Sequence, residues 1–206
     1  MEHQFNVVTA GKDLGEAKKA LIMLHGRGGS AEDILTLASH LNVENYALLA
    51  PQATNNTWYP ASFMAPTAQN EPWLRSAIST VGKTVQQVEA AGIPAENIYF
   101  FGFSQGACLT LEYLARNARQ YGGAAAIIGG LIGQEINLSN YKGDFKKTPI
   151  FIGTSNPDFH VPIERVYITE RILSKMNATV KLKEYPNFGH SIHPDEIKQI
   201  NQLIFD

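Results

Sequence analysis

The chain predicts a three-layer α/β protein, with a mostly parallel central sheet and helices on both faces. Two observations carry this. Apolar runs alternate with amphipathic helical patterns along nearly all of the 206 residues. The runs are also continuously apolar, as strands covered on both faces must be, whereas strands with one wet face alternate. A chain of this length buries about 70% of its unfolded surface, enough for one core. No repeat, low-complexity tract or linker divides it, so residues 1–206 read as a single domain.

The elements follow in order. Phe5–Thr9 is expected as an antiparallel edge strand, and Ala20–Leu24 as the first fully buried one, ending at His25-Gly26. Ser30 then caps a helix running through Leu41, with Asp33 at the capping-box position. Tyr46–Ala50 is a strand stopped by Pro51. A long amphipathic helix spans about Pro72 to Ala91, with the proline in its first turn, and Gly92-Ile93-Pro94 ends it. Strands follow at Asn97–Phe101, Ala124–Ile128, Pro149–Gly153 and Thr179–Tyr185. Helices are expected at Ala107–Leu114, Ile163–Met176 and Asp195–Phe205.

Residues 52–71 break this rhythm. They hold Asn55-Asn56-Thr57, Pro60 and Pro66 with little periodicity, yet carry Trp58, Tyr59, Phe63 and Met64. A structureless loop of this length in a compact domain is usually functional. Two readings stand side by side: a lid or acyl-pocket wall of exposed aromatics, or a small satellite core. The aromatics around Trp58 also admit burial against a second copy in a homodimer.

Between the strand Asn97–Phe101 and the helix from Ala107 lies Gly102-Phe103-Ser104-Gln105-Gly106. G-x-S-x-G between a strand and a helix marks a nucleophile elbow. The turn forces Ser104 into a strained conformation, and side chains at Gly102 or Gly106 would collide with the neighbouring strand and helix. The hydroxyl is thereby lifted to a helix N-terminus, where the dipole favours negative charge.

Composition excludes several classes. The formal net charge is −2, and the densest basic clusters are the pairs Lys18-Lys19 and Lys146-Lys147. Neither supports a nucleic-acid partner. No apolar stretch approaches the roughly 18 residues of a membrane span. The N-terminus lacks signal-peptide character, and a lone Cys108 cannot form an internal disulfide. These features point to the cytoplasm. Cys108, on the apolar side of its helix, reads as a small buried hydrophobe.

A serine hydroxyl is too weak an acid to attack unaided, so Ser104 needs a base with a pKa near neutrality, which suits histidine. The base must carry its proton on the nitrogen facing away from the serine, and a carboxylate enforces that. Open α/β sheets bind ligands beyond the carboxyl ends of their strands. Asp158 follows the strand Pro149–Gly153 and His190 follows Thr179–Tyr185, giving the order Ser…Asp…His. The rivals fit less well. His193 precedes Pro194 and reads as a surface or capping residue, His160 is too close to Asp158 in sequence, and Asp144 precedes its strand. Two main-chain N–H groups should form the oxyanion hole: Gln105, after the nucleophile, and Arg27, in the loop His25-Gly26-Arg27-Gly28-Gly29. The side chain of Arg27 then lies near the pocket, with Trp58, Tyr59, Phe63 and Met64 as further candidate lining.

Gly26-Arg27-Gly28-Gly29-Ser30-Ala31 also fits a dinucleotide fingerprint. That reading requires an acidic residue at the end of the next strand, which instead ends in Pro51-Gln52. No H-E-x-x-H or compact Cys/His set suggests a metal. No cofactor is expected.

Together, Leu24-His25-Gly26, Gly102-Phe103-Ser104-Gln105-Gly106, Asp158 with Val161-Pro162, and Gly189-His190 resemble the phospholipase/carboxylesterase family of α/β-hydrolases. That family includes acyl-protein thioesterases and small bacterial carboxylesterases, and the resemblance covers nearly the whole chain. It implies the α/β-hydrolase fold, Ser104 as nucleophile, Asp158 as orienter, His190 as base, and main-chain donors at Arg27 and Gln105. The thioesterase branch usually carries Leu where this chain has Arg27, with an acidic residue soon after; the departure favours small or polar esters. The expectation is therefore a serine esterase acting on a small-molecule ester through an acyl-serine. The alternatives are an acyl-protein or acyl-CoA thioesterase, a lysophospholipase, or a hydrolase-fold module that binds without turnover.

Overall fold

Each continuous apolar run becomes a strand because the sheet buries both of its faces. The computed structural model describes residues 2–205. Its strands are β1 (Val7–Gly11), β2 (Lys19–Leu24), β3 (Tyr46–Pro51), β4 (Ile98–Phe103), β5 (Gly123–Ile127), β6 (Pro149–Asn156) and β7 (Thr179–Pro186). The helices are α1 (Ala31–Thr36), α2 (Trp73–Ala90), α3 (Gln105–Arg116), α4 (Ile163–Lys175) and α5 (Pro194–Leu203). The strands form one sheet in the order β1-β3-β2-β4-β5-β6-β7. All pairings in it are parallel except β1 with β3.

The edge strand is antiparallel, as expected, but starts two residues late. Val7 pairs with Pro51, and Phe5, outside the ladder, is largely exposed. Ser30 and Asp33 form the reciprocal capping box on α1. That helix stops at Thr36 and continues as a 3₁₀ turn over Leu37–His40, so the element expected through Leu41 is split.

Two adjacent residues of β4 show how the layers lie. The Phe100 ring meets Tyr113 of α3 at 6.0 Å, while the Tyr99 ring meets Phe205, just past α5, at 5.8 Å. Successive strand side chains point to opposite faces. Helix α3 and the end of α5 therefore cover opposite faces of the sheet. Between them, Ala20–Leu24 of β2 is fully buried. Burying a large aliphatic side chain of this kind contributes about 1.5–3 kcal/mol, so the centre of the sheet is a stiff platform for the loops at its rim.

Candidate active site

Ser104 occupies the turn between β4 and α3 with φ 53° and ψ −118°, a region that L-residues rarely adopt. Close packing holds it there. A Cβ at Gly106 would lie 2.1 Å from the carbonyl oxygen of Leu24, and one at Gly102 2.5 Å from that of Gly106. The first collision is with β2 and the second with α3, as the elbow requires. The Ser104 amide is tied to the Ile127 carbonyl of β5 at 2.9 Å.

Three side chains meet at this rim. Ser104 Oγ lies 2.8 Å from His190 Nε2, and His190 Nδ1 lies 2.8 Å from Asp158 Oδ2. The other carboxylate oxygen of Asp158 accepts the N–H groups of His160 (2.8 Å) and Val161 (2.9 Å). Burial acts to raise the Asp158 carboxyl, but the hydrogen bonds from His190, His160 and Val161 outweigh it and hold the pKa below the ordinary value. The ionised carboxylate in turn favours a proton on His190 Nδ1, which leaves Nε2 free to accept from Ser104. Phe103 and His160 pack their rings on His190 at 5.6 and 5.1 Å, and the Gly189 amide is held by Ser155 Oγ at 2.9 Å.

The rival histidines are accounted for. His193 caps α5: its Nδ1 accepts from the Asp195 amide at 3.0 Å, and its ring stacks on Tyr185. His160 serves Asp158 through its main chain and His190 through its ring. The sequence held no signal for either contact.

The loop after β2 packs beside the serine. Gly26 packs so closely that a Cβ there would sit 3.4 Å from Ser104 Cβ. Among the described residues, the amides of Arg27 and Gln105 meet no protein acceptor. The Arg27 guanidinium donates to the carbonyls of Pro60 (3.0 Å) and Ala61 (2.8 Å). Beside Ser104 lies a cleft of about 600 Å³, lined among others by Arg27, Tyr59, Phe63, Gln105, His160 and His190.

Residues 52–71 correct two of the expected pocket residues. Trp58 is fully buried behind the cleft wall, and Met64 packs against the core; neither lines the cleft, whereas Tyr59 and Phe63 do. These aromatics join the main core and form neither an exposed lid nor a separate satellite cluster. The reason is hydrogen bonding. The side-chain amide of Gln105 accepts from Trp58 N–H at 2.9 Å and donates to the Tyr59 carbonyl at 2.8 Å, while the Trp58 indole donates to the His25 carbonyl. With its polar groups satisfied, the loop can be buried. The Gln105 side chain is thus a structural clamp beyond the main-chain role expected of it.

His25 adds to the clamp. Its Nε2 accepts the Ala53 N–H at 3.2 Å, so the proton rests on Nδ1, which donates to the Gly26 carbonyl at 2.8 Å. His3 works alike: Nδ1 accepts from Thr54 N–H and Nε2 donates to the Trp58 carbonyl. Burial lowers the pKa of both rings, which suits neutral histidines used as acceptors.

Cys108 lies in the cleft floor, and burial pushes its thiol up to about 12, which removes it as a competing nucleophile. Among the described residues, no group of three His, Cys, Asp or Glu side chains is arranged to hold a metal. No helix there is long and apolar enough to cross a membrane.

The family model described as Phospholipase/Carboxylesterase matches residues 3–205. The chain belongs to the phospholipase/carboxylesterase family. It is accordingly a carboxylic ester hydrolase of the α/β-hydrolase superfamily. Two relatives bracket this family member. Carboxylesterase SOBER1 of Arabidopsis thaliana is 28% identical over 205 residues, covering 91% of this chain and 90% of its own. Acyl-protein thioesterase 1 of Saccharomyces cerevisiae is also 28% identical, over 216 residues, covering 91% and 92%. Among solved structures, a phospholipase/carboxylesterase from Dyadobacter fermentans superposes with a TM-score of 0.99 at 56% identity, covering 100% of this chain and 99% of that one.

Proposed function

We propose that this family member cleaves carboxylic esters through an acyl-Ser104 intermediate, with small or polar esters favoured. The supporting observation is the unbroken chain from Ser104 Oγ through the His190 ring to Asp158. His190 takes the serine proton as Oγ attacks the ester carbonyl. The oxyanion that forms is met by the N–H groups of Arg27 and Gln105 and by the N-terminal end of α3. Such donors act in the transition state because they are aimed before the charge develops. His190 then protonates the departing alcohol, and activates water to release the acid and restore the serine. Asp158 keeps the imidazole oriented and stabilises its charged form.

The preference for small or polar acyl groups is supported by the Arg27 guanidinium at the cleft edge, where an alkyl chain would gain little. Turnover of p-nitrophenyl acetate tests the reading, together with labelling by a fluorophosphonate probe. Ser104→Ala should abolish labelling, and Ser104→Ala and His190→Ala should each remove nearly all turnover. Labelling elsewhere, or wild-type-like rates in either variant, would reassign the nucleophile or the base. A parallel panel of oxoesters and thioesters separates the carboxylesterase from the thioesterase reading.

A further inference from the structure

Among the described residues, Arg27 has no acid paired with it. Its guanidinium lies at the edge of the cleft that holds Ser104 and His190. Among the described residues no carboxylate forms an ion pair with it, and none of those lining the cleft is Asp or Glu. Asp158, the nearest carboxylate of the site, has its oxygens engaged by His190, His160 and Val161. The partners of the guanidinium are two neutral main-chain carbonyls, of Pro60 at 3.0 Å and Ala61 at 2.8 Å. These fix its plane without neutralising its charge. A guanidinium carries five N–H donors, and these contacts leave most of them unspent. A cation held in one orientation, beside a cleft free of acids, is preorganised for an anion.

We infer that Arg27 is a specificity-determining residue and that the enzyme prefers esters bearing a second, ionised carboxylate, such as half-esters of short dicarboxylic acids. This rests on the esterase reading above, because the anion is placed relative to a carbonyl under attack by Ser104. Arg27 lines the same cleft as Ser104 and His190, with its guanidinium against the 60–61 wall. In this proposal a succinyl or glutaryl half-ester places its carbonyl at Ser104 and its carboxylate on that guanidinium. The charge-assisted contact also orients the reacting carbonyl, so it contributes to kcat/KM beyond simple binding. A lysine would keep the charge and lose the planar fork clamped by the two carbonyls.

The experiment compares mono-p-nitrophenyl succinate with its neutral methyl ester, on wild type, Arg27→Gln and Arg27→Lys. The wild type should favour the anionic ester in kcat/KM, and added KCl should weaken that preference. In Arg27→Gln the anionic-to-neutral ratio should fall on the order of tenfold to a hundredfold, with Arg27→Lys between. A readout without turnover accompanies it: monomethyl succinate should bind Ser104→Ala by calorimetry and bind Ser104→Ala/Arg27→Gln measurably more weakly. Equal ratios in wild type and Arg27→Gln overturn the proposal. Should Arg27→Gln not fold, the wild type alone decides, since no preference for the anionic ester at any salt concentration overturns it as well. Failure of the esterase reading looks different: Ser104→Ala would then retain turnover of the neutral ester.

Discussion

Two irregular regions flank Ser104, and they are built in opposite ways. On one side, residues 52–71 bury Trp58, Tyr59 and Phe63 and are bonded to His3, His25 and Gln105. On the other, the loops after β6 and β7 present Asp158 and His190 from exposed backbone, with Phe159 at 99% exposure and Phe188 at 38%. An aromatic residue is buried in the first region and bare in the second. Aromatic content therefore says nothing about which loop is a wall. What separates them is how many of the loop's polar groups side chains from elsewhere satisfy. His3, His25 and Gln105 all reach into the first region, whereas the loop after β7 receives Ser155 Oγ on the Gly189 amide. One region holds the shape of the cleft, and the other brings Asp158 and His190 to it.

That contrast can be broken by experiment. In the exposed region Asp158→Asn should lower kcat on the order of 10³–10⁴-fold for p-nitrophenyl acetate; a loss under tenfold would remove Asp158 from the proposed relay. In the buried region Gln105→Ala should act chiefly on stability. It strands the Trp58 N–H and the Tyr59 carbonyl, at about 1–3 kcal/mol for each buried group left unpaired, read as a lower midpoint in urea. A variant as stable as wild type would mean the wall does not depend on this clamp.

A smaller effect follows pH. His3 and His25 have pKa values lowered by burial, so the unfolded chain binds more protons than the folded one below about 6.5. Their contribution is present above that value and is lost as pH falls through the lowered values. Glu196 runs the other way: burial raises it to about 7, so its contribution is lost as pH rises from 4.5 towards 7. In Glu196→Gln, where the opposing group is gone, Tm should drop between pH 7.5 and 5.5; a flat profile would show that neither ring has its pKa lowered by burial. The smallest change is Tyr59→Phe. Among the described buried side chains, the Tyr59 hydroxyl alone lacks a well-formed hydrogen bond, having only the Cys108 thiol beside it. Removing it should leave Tm unchanged or raise stability by up to about 1 kcal/mol, and a clear loss would reveal a partner.

Much of the site was legible because its parts obey local rules. G-F-S-Q-G between a strand and a helix dictates a strained serine, whatever surrounds it. Strand ends mark where Asp158 and His190 must emerge. The capping role of His193 follows from Pro194 beside it. Other features left no such trace. The burial of Trp58 depends on Gln105, 47 residues away, and on His25, 33 residues before it. The two amides that hold Asp158 depend on a loop turning back on itself. Neither has a period or a motif.

By itself the chain determined which segments are strands and helices, where the strained turn at Ser104 sits, and the order of the three polar residues at the rim. Hydrophobic periodicity and backbone sterics act over a few residues and need no knowledge of the rest. Only the tertiary structure decided that the aromatic stretch is a buried wall, that Trp58 lies behind the cleft and not in it, and that Arg27 faces it without an acid. Those outcomes turn on desolvation and hydrogen bonding between groups far apart in sequence, and such terms take a value only once the sheet has brought the groups together.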